Sequence, residues 1–204
     1  MGSLGRNIVQ IRAYKMMTKN DIDFRVRNLL FVDLETTGLN PDIHEIIEVG
    51  CLLVNGKNLK VISEYSAKIK PKHINTATPK AIEVPGYIPL LWENAKSEEE
   101  VLGDLVRLAP NAIVVGWKVD FDWWFLEHAF ERHRISYDFD YHLIDVIPLA
   151  YAYFRKREGI NGLGLRRVAA YFKIKMEEQH DALGDIKGTY KVFKKLMSIY
   201  DKKN

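Results

Sequence analysis

The spacing of apolar and polar residues predicts three strands in the first part of the chain. Residues 29–34 form a short apolar run that ends at carboxylates and a Thr-Thr-Gly turn, which is typical of a buried strand. Residues 46–54 and 61–69 are rich in β-branched side chains, and the Asn55-Gly56 pair between them favours a hairpin turn. We therefore expect the domain to begin with three strands.

Helical and strand patterns alternate in the rest of the chain. Ser97 and Glu100 form a capping box that predicts the start of a helix. Further strands are expected at 112–116 and 143–145, and further helices at 120–134, 146–157 and 162–172. The last helix is the clearest, because its apolar residues recur every three or four positions: Ile186, Tyr190, Phe193, Met197 and Tyr200. This order predicts an α/β fold with a mixed sheet flanked by helices.

One long connection interrupts these patterns. Residues 70–96 contain four of the seven prolines and show little periodicity, so we expect an irregular segment. Connections of this length in compact domains are often functional.

Composition narrows the class of protein. With 204 residues and 47% hydrophobic side chains, the chain is expected to form one domain at 28–200, after an N-terminal extension or tag remnant at 1–27. A net charge of +3 permits a polyanionic partner without requiring one. The single cysteine, Cys51, excludes an internal disulfide, and no apolar run approaches the roughly 20 residues that span a bilayer. We expect a cytoplasmic protein without a membrane partner.

Two acidic residues end the first predicted strand. Asp33 and Glu35 are two positions apart, so the period of a strand directs both side chains to one face. Paired carboxylates repel each other unless a cation lies between them, and Mg²⁺ or Mn²⁺ prefers such oxygen ligands. The alternative is that one of them begins the turn and accepts hydrogen bonds from backbone amides.

Five further acids have either structural or chemical interpretations. Asp120 and Asp122 open a helix, where one would serve as a cap and the other would point toward Asp33. Asp145 is interpreted as an N-cap, and Asp181 as the cap of the last helix, four residues before Asp185. A separation of five residues is about 140 degrees on a helix, so His180 must precede the helix to cooperate with Asp185.

Three segments together resemble a known family. They are residues 31–39 (FVDLETTGL), 115–126 (VGWKVDFDWWFL) and 180–185 (HDALGD). In sequence, order and interval they resemble the three exonuclease motifs of the DEDDh family of 3'-5' exonucleases, which has a ribonuclease H-like fold. The resemblance covers about residues 28–200 and leads us to expect a ribonuclease H-like mixed five-stranded sheet flanked by helices.

The resemblance also implies a role for each motif residue. It implies that two Mg²⁺ or Mn²⁺ ions per site are bound by four carboxylates: Asp33, Glu35, Asp122 and Asp185. His180 would be the general base that accepts a proton from the attacking water. Positioning of the substrate would involve Thr36, Thr37 and Leu39, with Leu39 beside the last base.

The chain departs from the family pattern in the second motif. Trp117 and Lys118 stand where many members have His-Asn, so Lys118 either contacts a phosphate or is a solvated charge. Trp117, Trp123 and Trp124 are interpreted either as stacking surfaces for bases or as core residues. Thr36 stands where oligoribonucleases of the family usually have Met, which favours the proofreading-like group.

The function expected from the sequence is metal-dependent 3'-5' hydrolysis of single-stranded nucleic acid ends, with DNA favoured and nucleoside 5'-monophosphates as products. Two alternatives stay open: an exonuclease of RNA or oligoribonucleotides, and a catalytically silent nucleic-acid-binding module. The expected partners are single-stranded DNA or RNA 3' ends, and a polymerase or another replication or repair protein.

Overall fold

The computed structural model describes residues 23–176 and 181–202, and their centre is a mixed five-stranded sheet. The strands are β1 (Leu29–Thr36), β2 (Ile46–Val54), β3 (Val61–Lys68), β4 (Ile113–Gly116) and β5 (Leu143–Asp145). Their order across the sheet is β3-β2-β1-β4-β5. The first three strands pair antiparallel, whereas β4 is parallel to β1 and to β5. The predicted mixed five-stranded sheet flanked by helices is confirmed.

Six α-helices connect and cover the strands in the described part of the chain. They are α1 (Pro79–Glu83), α2 (Glu98–Leu108), α3 (Val119–His133), α4 (Val146–Phe154), α5 (Leu165–Tyr171) and α6 (Ala182–Asp201). The connection at 70–96 is more regular than predicted, since it contains α1 and two 3-10 turns, Ile74–Thr76 and Pro89–Trp92. No helix within the described ranges is long and apolar enough to cross a membrane.

The alternation of side chains along β1 divides the core into two layers. Leu30, Val32 and Leu34 face a cluster that includes residues of α2 and α3. Leu29 and Phe31 face the opposite cluster, which is formed with α4, α5 and α6. Residues 33 and 35 continue the second face, so the backbone of β1 directs Asp33 and Glu35 toward the side of the sheet that α6 covers.

Most of the predicted caps are present. Ser97 and Glu100 form the capping box of α2, Asp145 accepts a hydrogen bond from the N–H of Ile147 at the start of α4, and Asp181 accepts one from Gly184 at the start of α6. These bonds fix the points where the chain changes from strand or loop to helix, which are also the points near the candidate acids.

The expected cap of α3 was wrong. Neither Asp120 nor Asp122 caps the helix, because its N-cap is Lys118, which adopts the left-handed conformation at φ 65° and makes no side-chain cap. The N–H of Lys118 instead donates to Oδ1 of Asp145 at 3.2 Å. Asp120 is exposed to solvent, whereas Asp122 is turned into the protein.

Candidate active site

The first strand supplies two acids to the site. Asp33 and Glu35 are both half-buried near the end of β1, on the face that α6 covers. Their cross-strand partners on β2 are Gly50 and Glu48. Because directly opposed residues on neighbouring strands share a face, these four positions form one patch of the sheet.

Helix α3 adds a third acid. The side chain of Asp122 is 4% exposed, and its Oδ1 accepts a hydrogen bond of 3.0 Å from the backbone N–H of Leu34. Leu34 lies between Asp33 and Glu35, so this bond ties the first turn of α3 to the part of β1 that carries the two acids.

Helix α6 adds a fourth acid in its first turn. Asp185 is four residues after the N-cap Asp181, and the helix begins against β2 at Gly50. A Cβ atom at Gly50 would lie 2.3 Å from the carbonyl carbon of Ala182 and from the backbone nitrogen of Leu183. The absence of a side chain at Gly50 therefore lets α6 start directly beside Asp33.

The four acids interact electrostatically. Burial raises the pKa of Asp33 well above its usual value, and the charges of Asp122, Glu35 and Asp185 raise it further. Burial, followed by the charge of Glu48, raises the pKa of Glu35 to about 7. Burial is also the largest cause of a strongly raised pKa at Asp122, where the Leu34 hydrogen bond acts in the opposite direction. Carboxylates in this state take up either protons or cations.

A fifth acid, which the sequence analysis missed, lies beside this group. Glu48 is 4% exposed, and its Oε2 pairs with Nζ of Lys68 on β3 at 2.9 Å. The Lys68 ammonium also lies 3.6 Å from the ring centroid of Trp92, whose indole N–H donates to the carbonyl of Ile47 at 2.8 Å. A signal was present in the sequence, because Glu48 is the single charged residue in the apolar strand IIEVGCLLV.

Arg166 contacts one of the four acids directly. Nη2 of Arg166, in the first turn of α5, lies 3.3 Å from Oδ1 of Asp185. The two residues are 19 positions apart, and no local pattern in the sequence indicates their contact.

The donor chemistry of the site suits a hard divalent cation, because the four acids supply carboxylate oxygens alone. Within residues 23–176 and 181–202, no group of three or more His, Cys, Asp or Glu side chains is arranged as a metal site as it stands. A bound cation would nevertheless offset the mutual repulsion of the acids and lower the raised pKa of Asp33. The residues therefore fit a hard divalent cation such as Mg²⁺ or Mn²⁺ by charge and donor type.

The predicted substrate-positioning residues lie on the turn after β1. The hydroxyl of Thr36 donates to the carbonyl of Gly38 at 2.7 Å, and Oγ1 of Thr37 accepts from the N–H of Glu45 at 2.9 Å. Both threonines are buried, whereas Leu39 is 76% exposed. The threonine hydroxyls are thus engaged in holding the turn, and Leu39 is presented to solvent at its tip.

The residues of the second motif divide between surface and core. Lys118 is exposed, with Nζ 5.7 Å from the ring centroid of Phe121. Trp123 packs edge-on against Tyr137, and Trp117 packs partly buried against the core cluster of α4 to α6, so both have the core role. Trp124 is 42% exposed and keeps an accessible ring. The predicted base, His180, lies outside the described residues.

Comparison with known proteins identifies the family. A family model described as "Exonuclease" and named RNase_T matches residues 30–193. The chain therefore belongs to this exonuclease family, as its motifs indicated, and its sheet is the ribonuclease H-like fold.

Individual relatives are larger proteins. The DNA polymerase III PolC-type of Thermotoga maritima is 28% identical over 183 residues, which are 90% of this chain and 13% of that protein. E. coli Exonuclease I in complex with a dT13 oligonucleotide has a TM-score of 0.73 at 20% identity, covering 86% of this chain and 43% of that chain. A zinc-bound form of the E. coli ExoI–ssDNA complex has a TM-score of 0.73 at 21% identity, over 86% and 41%. The chain thus spans less than half the length of each of these matches.

Proposed function

We propose that this protein is a metal-dependent 3'-5' exonuclease that hydrolyses single-stranded nucleic acid ends, DNA in preference, to nucleoside 5'-monophosphates. The observation that carries the proposal is the position of half-buried Asp33 at the end of β1, next to the charges of Asp122, Glu35 and Asp185. These acids come from three elements that are far apart in the sequence, and they lie in the three segments that resemble the motifs of DEDDh exonucleases.

The four carboxylates would hold two ions of Mg²⁺ or Mn²⁺. When bound, such ions lower the pKa of an attacking water and stabilise the negative charge on the leaving 3' oxygen. The protein's contribution is to fix four acids near the end of the central strand before substrate arrives. The Asp122 to Leu34 hydrogen bond and the start of α6 at Gly50 are the contacts that fix them.

The remaining roles belong to side chains around these acids. His180 directly precedes the N-cap Asp181, so we assign to its imidazole the proton of the attacking water. Thr36 and Thr37 hold the turn that would receive the terminal 3'-hydroxyl on its backbone amides. Exposed Leu39 would lie against the last base, and Lys118 near a phosphate.

Three observations favour single-stranded DNA as the substrate. A solved structure with a similar fold is Exonuclease I in complex with a dT13 oligonucleotide, and a PolC-type relative is a DNA polymerase. Thr36 also favours the proofreading-like group. The alternative substrates are RNA and oligoribonucleotides, and the alternative function is silent binding of nucleic acid. We propose a polymerase or another replication or repair protein as the partner. We also propose that residues 28–200 form the exonuclease domain. Cytoplasmic localisation stays a prediction.

The proposal is tested by digesting matched 5'-labelled single-stranded DNA and RNA oligonucleotides of several lengths with Mn²⁺ or EDTA. We expect a ladder that shortens from the 3' end, needs metal, and is lost in Asp33→Ala and His180→Ala. Faster loss of DNA than of RNA would support the favoured substrate. Digestion by Asp33→Ala at the wild-type rate would overturn the assigned site, and no cleavage of either strand with metal bound would favour the binding module.

A further inference from the structure

We propose that Arg166 binds a phosphate of the nucleic acid strand beside the catalytic carboxylates, in a cavity between the first turns of α5 and α6. This inference rests on the proposed function and adds a residue to its site. Arg166 lies outside the three motifs, between the second and the third.

The cavity has the size and lining of a nucleotide subsite. Its volume is about 720 Å³, and it is open to solvent. It is lined by Gly164, Leu165, Arg166, Arg167 and Asp185. Ligand pockets of 300–1,000 Å³ are common for groups of nucleotide size, so about one nucleotide can enter here. Two arginines and one of the candidate metal ligands therefore face the same space.

A positive side chain faces the cavity beside the acids. Two divalent ions would offset the charges of the four acids that the proposed function assigns as their ligands, and Glu48 is already paired with Lys68. A phosphodiester that lies in the cavity next to those ions would still gain from a further positive group. Lys68 faces Glu48 and Trp92, whereas Arg166 reaches the carboxylate of Asp185 at 3.3 Å and borders the cavity.

The shape and exposure of the Arg166 guanidinium suit phosphate binding in addition to the ion pair with Asp185. Its planar fork matches two phosphate oxygens, and at 37% exposure it is neither fully hydrated nor sealed from a ligand. Cations bound by Asp185 would share that carboxylate's charge and weaken its hold on Arg166. The guanidinium would then be positioned, already ordered, for the strand that follows the metals into the site.

The competing explanation is that the contacts of Arg166, among them the ion pair with Asp185, are purely structural. The two roles differ in what they predict for binding, because a phosphate contact has a position along the strand and a structural ion pair does not. The measurement is therefore the affinity for oligonucleotides in which one phosphate at a time has lost its charge.

The experiment uses fluorescence anisotropy with Mn²⁺ and 5'-labelled single-stranded DNA that carries one neutral methylphosphonate at successive linkages from the 3' end, with phosphorothioates elsewhere to slow hydrolysis. We expect Arg166→Ala to weaken binding of the fully charged strand about 10-fold. One methylphosphonate position should weaken wild-type binding by a similar factor and leave the affinity of Arg166→Ala unchanged. The slope of log K against log salt should fall by about 0.7 in Arg166→Ala.

Arg155→Ala is the matched control. Arg155 is an exposed residue just after α4, and its substitution by alanine removes the same charge as Arg166→Ala. The affinity of Arg155→Ala for the strand, and its response to each methylphosphonate, should therefore equal those of wild type. If Arg166→Ala does not fold, Arg166→Lys should bind with intermediate affinity, because lysine keeps the charge but loses the fork. If a methylphosphonate at each linkage changed the affinity of wild type and of the Arg166 variants by the same factor, the proposal would be overturned. Absence of any strand binding by wild type would instead count against the proposed function.

Discussion

Oδ1 of Asp122 accepts a hydrogen bond of 3.0 Å from the N–H of Leu34, the residue between Asp33 and Glu35. A carboxylate on α3 is in this way held to the backbone of β1 across 88 positions of the sequence. The bond satisfies one oxygen of Asp122 at a position that is 4% exposed. It also means that the geometry of the second motif depends on a main-chain donor of the first.

Asp122→Asn should separate charge from structure at this point. The amide oxygen of Asn can accept the same hydrogen bond from Leu34, so the fold should persist and the melting temperature in EDTA should not fall. Loss of the negative charge should reduce exonuclease activity about 100-fold or more. The control Asp120→Asn changes an exposed acid on the same helix and should retain activity. Equal activity of the two variants would contradict the role of Asp122.

Gly50→Ala tests whether α6 must begin directly beside Asp33. The new Cβ would lie 2.3 Å from backbone atoms of Ala182 and Leu183, and backbone cannot rotate aside as a long side chain can. We expect a loss of about 1–3 kcal/mol in the free energy of unfolding. Activity per folded molecule should also fall, because Asp185 moves with the helix.

The matched substitution is Gly103→Ala in α2. There the nearest atom to the new Cβ is Nη1 of Arg107 at 3.2 Å, the end of a flexible side chain. Alanine also favours helix, so this variant should be as stable as wild type or slightly more so. Chemical denaturation measures the free energy of unfolding of both variants, and specific activity measures catalysis. If neither changed in Gly50→Ala, the close approach of Gly50 to the start of α6 would be refuted.

The acidic group predicts an unusual dependence of stability on pH when metal is absent. The pKa of Glu35 is raised from 4.5 to about 7. Below pH 4.5 the folded and unfolded states both bind this proton, and as pH rises toward 7 the unfolded state releases it first. The folded state therefore loses stability across this window, by on the order of 3 kcal/mol at about 1.4 kcal/mol for each pKa unit.

Glu35→Gln isolates that contribution. In EDTA the melting temperatures of wild type and Glu35→Gln should be similar near pH 4.5, and the variant should be more stable at pH 8. Mn²⁺ at pH 8 should raise the melting temperature of wild type more than that of the variant, because bound cations stabilise the folded state. Glu83→Gln, at an exposed position, should follow wild type throughout. If the melting temperatures of wild type and Glu35→Gln in EDTA changed in parallel with pH, ionised Glu35 would not destabilise the fold, and the prediction would be wrong.

Lys68 should stabilise the fold through its ion pair with the buried Glu48. Lys68→Ala leaves the Glu48 carboxylate, which is 4% exposed, without the ammonium that lies 2.9 Å away. We expect the free energy of unfolding to fall by about 1–3 kcal/mol. A larger loss is not expected, because Lys68 is itself 40% exposed and solvent screens the pair. Lys187→Ala removes a more exposed pair with Glu64 and should cost less than about 1 kcal/mol. Equal losses measured by urea denaturation would contradict the special position of Glu48.

The elements were predictable where the signal is local. β2 and β5 have the predicted bounds, 46–54 and 143–145, because a hairpin turn and a cap mark their ends. The N-cap of α3 was not predictable, since the left-handed Lys118 is held by a hydrogen bond from its N–H to Asp145 on another element. The short helices of 70–96 were missed because they lack an apolar period.

The acids of the candidate site follow from motif spacing, but their surroundings do not. Glu48 could have been noticed as the charge within an apolar strand, whereas the contact of Arg166 with Asp185 depends on how α5 packs against α6. The pKa of Glu35 likewise arises from burial and from neighbours on β2 and α6. These are tertiary properties that no window of sequence contains.

The central claim is hydrolysis from the 3' end at the Asp33 site, and the most direct measurement is the first product released from single-stranded DNA labelled at its 3'-terminal nucleotide. With Mn²⁺, wild type should release the label at once as a nucleoside 5'-monophosphate, and Asp33→Asn should release none. Release of the label first in longer fragments, or equal release by Asp33→Asn, would contradict the account.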